Sequence, residues 1–164
     1  MILRCTAKML ALLGVRISAL ASVAPSDDDW YLNLVWIERR KCLLLTHAET
    51  LFPVFVADIL KADLGPPLGP YVVSHIEEQL RSENLATDVL GRLDPDDVHV
   101  ATTASRSVLG VMNDAARHAR YRIEDMGGID RSDASYVNHF LRRTFHRHAG
   151  GYVTPLELVS RRST

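Results

Sequence analysis

At 164 residues the chain has the length of one ordinary domain, and 47% hydrophobic against 24% charged residues excludes wholesale disorder. A formal net charge of −1 excludes a global field that would draw the whole molecule onto nucleic acid or an anionic membrane, so any such contact must come from a local basic patch. A chain of this size buries roughly 68–70% of its surface on folding and needs no disulfide or metal staple.

Ile2–Cys5 reads as a first strand, and Thr6 is placed to cap a short helix from Ala7 to Leu13 that Gly14 ends. Arg4 and Lys8 ahead of the apolar Met9–Val15 run loosely imitate a signal peptide, but Arg16 interrupts the run. No stretch approaches the roughly 20 apolar residues of a membrane span, so no membrane partner is expected. Ser18 to Asp29 is a loop ending in Asp27-Asp28-Asp29, a carboxylate cluster that reads as a solvated turn.

Trp30–Trp36 is the clearest strand, with Tyr31, Asn33 and Val35 sharing one face. Glu38-Arg39-Arg40 reads as a tight turn into the apolar strand Lys41–Thr46, and His47–Thr50 as a second turn into Leu51–Val56. Pro53 marks that last segment as an edge strand or a bulge. The three strands form an antiparallel meander. Cys5 and Cys42 fall in apolar strand runs outside any CxxC and read as reduced core residues.

A short helix is expected at Ala57–Ala62, then the breaker Gly65–Pro70 and a helix from Tyr71 to Asn84. Asp94–Asp97 is a turn and Val98–Thr102 a strand. Ser105 caps a helix to about Arg120, buried through Val108, Leu109 and Met112. After Gly127-Gly128, Ser132 or Asp133 caps a helix running to about Arg147. Gly150-Gly151 breaks it, and Pro155 opens a last helical turn. These elements predict an α+β fold in one domain spanning 1–164, a small, mostly antiparallel sheet with helices packed largely on one face. Leu43, Leu45, Val108, Leu109 and Met112 are expected to share its core.

Three constellations carry possible chemistry. Arg39-Arg40-Lys41 puts three cations on one turn, an arrangement suited to a nucleic-acid backbone or an acidic partner, or simply to solvent. Thr103–Asp114 is a hydroxyl-rich strand–turn–helix junction whose free amides favour an anion, with Arg106, Gly110, Asn113 and Arg117 along one helical face. Gly110 inside that helix suggests close approach of a strand or ligand. His139, Arg142, Arg143, His146 and His148 populate the next helix, and Arg143 with His148 matches the loose Arg-x(4–6)-His pattern of small metal-independent ribonucleases, in which such a pair stabilises a phosphorane and moves a proton. No Walker loop, dinucleotide fingerprint, HExxH or nucleophile elbow is present, so no cofactor and no metal site is expected.

Trp30–Phe55, with Asn33-Leu34 and Arg39-Arg40-Lys41, the segment Thr103–Asp114 (Thr-x-Ser-Arg-Ser-Val-Leu-Gly-x-Met-Asn-Asp) and the ending Tyr152–Pro155 together resemble an uncharacterised bacterial domain family of small stand-alone proteins, sometimes associated with plasmids and mobile elements. The resemblance implies a bacterial cytoplasmic protein built as one compact domain and implies no reaction. Two functions remain. One is a non-enzymatic binding module for nucleic acid or an acidic partner, using Arg39, Arg40, Lys41, Ser105, Arg106 and Asn113. The other is a small hydrolase using Arg106 with Asn113, or Arg143 with His148.

Overall fold

The computed structural model describes residues 1–162. Its elements are, in order, β1 (Ile2–Cys5), α1 (Ala7–Leu13), β2 (Trp30–Ile37), β3 (Arg40–His47), β4 (Pro53–Val56), α2 (Leu68–Ser82), β5 (His99–Thr102), α3 (Arg106–Asp125), α4 (Ala134–Arg142), β6 (His146–His148), β7 (Gly151–Val153) and α5 (Pro155–Arg162). The region expected as a helix at 57–62 instead forms a 3-10 turn at Lys61–Leu64.

Five strands form one sheet in the order β4-β3-β2-β1-β5, and β6 and β7 form a separate hairpin. The chain is α+β, and antiparallel pairing predominates, with eight residue pairs in the β2–β3 hairpin and four between β3 and β4. The first strand nevertheless lies inside the sheet and runs parallel to both neighbours, pairing Leu3 with Trp30 on one side and with Val100 on the other. The β2–β3 turn is made by Glu38 and Arg39, both at positive φ, which matches the right-handed twist of the strands it joins. Neither is glycine, and the Glu38 carboxylate accepts from the Ile129 amide at 3.0 Å, which helps to hold the strained turn.

The helices cover both faces of the sheet rather than largely one. Trp30, Leu32, Leu34, Leu43 and Leu45 join one cluster with Met9 and Leu10 of α1 and Val72, Ile76 and Leu80 of α2. Tyr31, Val35, Cys42 and Leu44 join a second with Val108, Met112, Ala115 and Ala119 of α3 and Val137 and Leu141 of α4. Strand side chains alternate in direction, and β2 and β3 are apolar on both sides, so each needs a cover on each face. Leu43 and Leu45 therefore lie across the sheet from Val108 and Met112, and Leu109 is only partly buried. The two cysteines fall in different clusters and are free thiols. Burial pushes the Cys5 thiol up to about 12.

Three further differences have physical causes. α4 ends at Arg142, and His146–His148 is a strand, because the residues that continue the helical spacing pair with Gly151–Val153 instead. Gly110 is exposed, and a Cβ there would meet nothing within 4 Å, so no strand among the described residues approaches it. The acidic run before β2 is only partly solvated. Asp29 is buried and binds Arg4 of β1, whose guanidinium also donates to the carbonyls of Thr102, Val23 and Ala24. That buried pair ties the 23–29 loop to the middle of the sheet.

Candidate functional site

β1 stops at Cys5, opposite Leu32, while β2 runs on to Ile37. The Thr6 amide makes a last bond to the Leu32 carbonyl at 3.0 Å, and the chain then turns away into α1. From Asn33 onward β2 has no strand partner on that side. α1 follows β1 onto one face of the sheet and α3 follows β5 onto the other, so the open edge is flanked by helices from opposite faces. Ligand sites in sheets with parallel strands favour such a crevice, outside the carboxyl end of a strand whose neighbours send their helices to different faces.

A crevice of about 240 Å³ occupies this place. Its floor is the edge of β2 from Asn33 to Trp36, and its walls are Lys8 of α1 and Asn113, Arg117 and Arg120 of α3. Thr6 does not cap α1. Its hydroxyl donates to Asn33 Oδ1 at 2.9 Å, which orients the Asn33 amide and leaves its nitrogen without a partner among the described residues, although Asn33 is only 8% exposed. Arg120 donates to the edge carbonyl of Trp36 at 3.2 Å, and Arg117 to Asp114 at 2.6 Å. Lys8 makes no ion pair among the described residues. The lining therefore offers three cations and two amides.

Trp36 adds an aromatic surface. It is 47% exposed and its ring sits 5.0 Å from the Lys41 ammonium, with which it pairs across the hairpin. The other tryptophan, Trp30, is fully buried.

The structure separates the three cations of the hairpin turn. Arg39 is exposed with no ion pair among the described residues, and Lys41 lies against Trp36. Arg40 is committed to Asp58 and Asp130, both at 2.8 Å. Ser105 caps α3, accepting from the Val108 amide at 3.3 Å. Arg106 is exposed, makes no ion pair among the described residues and does not line the crevice, whereas Asn113, seven residues on, does.

Arg143 and His148 are not brought onto one lining. Arg143 grips the Glu83 carboxylate with both terminal nitrogens, at 2.9 and 2.7 Å, while His148 lines a separate cavity beside Ser105 and Ser107. Arg142, one of the cationic residues of the expected helix, is buried against Phe52 and donates to Glu83, Gln79 and Ser82.

The sequence reading marked Asn113 and Arg117 on one helical face but missed Arg120, Lys8, Asn33 and Trp36 as companions. Arg120 is legible in retrospect, seven residues from Asn113 along the same face. Lys8 and Asn33 reach the crevice only through the parallel pairing of β1 with β2, which no local spacing announces.

No curated protein and no solved structure matches the chain. Among the described residues, no helix is long and apolar enough to cross a membrane. A family match spans residues 2–158, nearly all of the strands and helices described above, and by it the chain belongs to the family of the domain of unknown function DUF6933.

Proposed function

We propose that this domain is a non-enzymatic binding module that holds single-stranded nucleic acid along the crevice at the open edge of β2. The observation that carries this reading is the convergence of Lys8, Arg117 and Arg120 beside an exposed tryptophan, in a chain whose net charge is close to zero. Cations that track a backbone next to an aromatic face on which a base can stack are the working parts of single-strand recognition. Asn33 and Asn113 supply amide donors and acceptors for phosphate or base edges. The crevice lining contains no carboxylate and no imidazole, so it offers a ligand charge and hydrogen bonds rather than a general base, which favours binding over hydrolysis. A bacterial, cytoplasmic setting, in some cases on mobile elements, goes with a small one-domain nucleic-acid binder.

The test is fluorescence anisotropy with a labelled single-stranded oligonucleotide across a salt series, read together with quenching of Trp36. Trp36 is the tryptophan a stacked base can reach, because Trp30 is buried. Each of Lys8→Ala, Arg117→Ala and Arg120→Ala should weaken binding and flatten the salt slope by about 0.7 per lost phosphate contact. Arg40→Ala should change binding little, since it does not line the crevice and its guanidinium is held by two carboxylates. No binding by the parent at low salt, or binding indifferent to all three crevice changes, overturns the proposal. Tighter binding of an acidic peptide at the same residues would reassign the crevice to a protein partner.

A further inference from the structure

A second cavity, of about 360 Å³, opens at the N-terminus of α3, away from the crevice. Three features set its chemistry. α3 is twenty residues long, and its first amides point outward with only two accounted for: Val108 donates to the Ser105 hydroxyl and Leu109 to the Ser105 carbonyl. The amides of Arg106 and Ser107 have no acceptor among the described residues, and the helix dipole adds positive potential there. The Ser107 hydroxyl, 3.4 Å from that of Ser105, lines the same space, as does the imidazole-bearing His148 from the β6–β7 hairpin.

The second feature is Tyr31. It projects from β2 under α3, is 1% exposed and lines the cavity. Its hydroxyl bonds to none of the described residues, yet it is not among the polar atoms sealed from solvent. Buried polar groups without a partner are uncommon in native proteins, and a buried phenol normally finds an acceptor or donor. Here the space available to it is the cavity.

The third feature is acidic. Asp27 and Glu49 line the wall formed by the loop before β2 and the turn after β3. Arg162 of α5 neutralises Glu49 and binds Asp28 as well. Asp27 has no cation among the described residues. A bare anion would be attracted by the helix end and repelled by Asp27. A ligand with a phosphate at one end and hydroxyls at the other satisfies both, with the phosphate on the α3 amides, Ser107 and Tyr31, and the hydroxyls donating to Asp27.

We propose that this cavity is a binding site for a hydroxylated phosphate monoester, of the sugar-phosphate or nucleoside-monophosphate class. The site rests on residues the crevice does not use and is independent of the nucleic-acid reading.

The experiment is isothermal titration of the intact chain with ribose 5-phosphate, adenosine 5′-monophosphate, inorganic phosphate and ribose. Ribose 5-phosphate should bind more tightly than phosphate or ribose alone, and a preference for the adenosine probe over ribose 5-phosphate would place a base in the site as well. Tyr31→Phe removes one hydroxyl and no packing, and together with Ser107→Ala should weaken binding about tenfold or more while leaving the melting temperature unchanged. Asp27→Asn should erase the advantage of ribose 5-phosphate over inorganic phosphate. Binding should persist in the Lys8→Ala/Arg120→Ala protein, which separates this site from the crevice. No binding of either phosphate ester at millimolar concentration, or binding indifferent to both Tyr31→Phe and Ser107→Ala, overturns the proposal.

Discussion

Asn138 brackets Phe55 from outside the sheet, its Oδ1 accepting from the Phe55 amide at 2.7 Å and its Nδ2 donating to the Phe55 carbonyl at 2.8 Å. β4 is an edge strand, and at Phe55 a side chain from α4 stands where another strand would pair. Edge strands with free amides and carbonyls invite pairing with other chains, and covering them is one of the ways proteins prevent it. Asn138→Ala leaves both backbone groups buried without partners and should cost about 2–3 kcal/mol by urea denaturation. Asn138→Asp keeps the acceptor, loses the donor and buries a charge beside a carbonyl, so it should be at least as damaging near neutral pH.

Two helical glycines should respond in opposite directions to alanine. Gly110 is exposed with open space around its Cβ position, so Gly110→Ala should stabilise the protein by roughly 0.5–1 kcal/mol through helix propensity alone. At Gly69, in the first turn of α2, the new methyl would lie 1.9 Å from the Pro95 carbonyl oxygen. The 94–97 turn would have to move, and Gly69→Ala should cost about 1–3 kcal/mol. A thermal melt of both variants against the parent checks the pair.

His47 makes stability depend on pH. It is fully buried, its Nδ1 accepts from the Thr50 amide at 3.3 Å and lies 3.0 Å from the Thr50 hydroxyl, and its ring meets the edge of Trp30. Burial, helped by the charge of Arg162, pushes its pKa down to about 4. An unfolded histidine titrates near 6.5, so the unfolded chain takes up this proton first as pH falls. The contribution is whole above about pH 6.5 and is lost progressively toward pH 4, by up to about 3 kcal/mol. Urea midpoints measured from pH 7.5 to 4.5 should fall, and they should fall less steeply for His47→Gln. Equal slopes for the two proteins would remove His47 as the cause.

Glu83 holds the ends of α2 and α4 together. Burial raises the cost of its charge, but hydrogen bonds from Arg143 and Arg142 outweigh that and keep the carboxyl below the usual carboxylate range. Glu83→Gln leaves the buried Arg142 without its counter-charge and should cost about 3 kcal/mol or more. Arg142→Met removes the stranded charge, and the double variant should be more stable than Glu83→Gln alone. A double-mutant cycle measures that recovery.

Local chemistry made much of this fold legible. The end of α1 follows from Gly14, the hairpin from the alternating run Trp30–Trp36 and the apolar run Lys41–Thr46 either side of the Glu38–Arg40 turn, and the start of α3 from Ser105. What stayed hidden depends on partners distant in sequence. Nothing near Ile2–Cys5 says that this strand lies inside the sheet, and the burial of Arg4 is intelligible only once Asp29 and the carbonyls around it are in place. His146 keeps a helical spacing from His139 and Arg142, so the run reads as a helix to about Arg147, although His146–His148 pair with Gly151–Val153. The crevice was half visible for the same reason: one wall is a single helix face, and the other arrives through strand order.

That strand order also imposes a timetable on folding. β1 leaves the ribosome before the other strands of the sheet, yet one of its two neighbours, β5, does not begin until His99. The β2–β3–β4 meander closes through short loops and can form early, whereas the pairing of Ile2–Cys5 with His99–Thr102 requires a long loop to close and belongs among the slow, non-local steps. During synthesis the nascent chain therefore carries a strand with one side unpaired until about a hundred residues beyond it have been made, an interval of several seconds at ordinary elongation rates. A fragment ending before His99 would keep that side open permanently and should be prone to self-association.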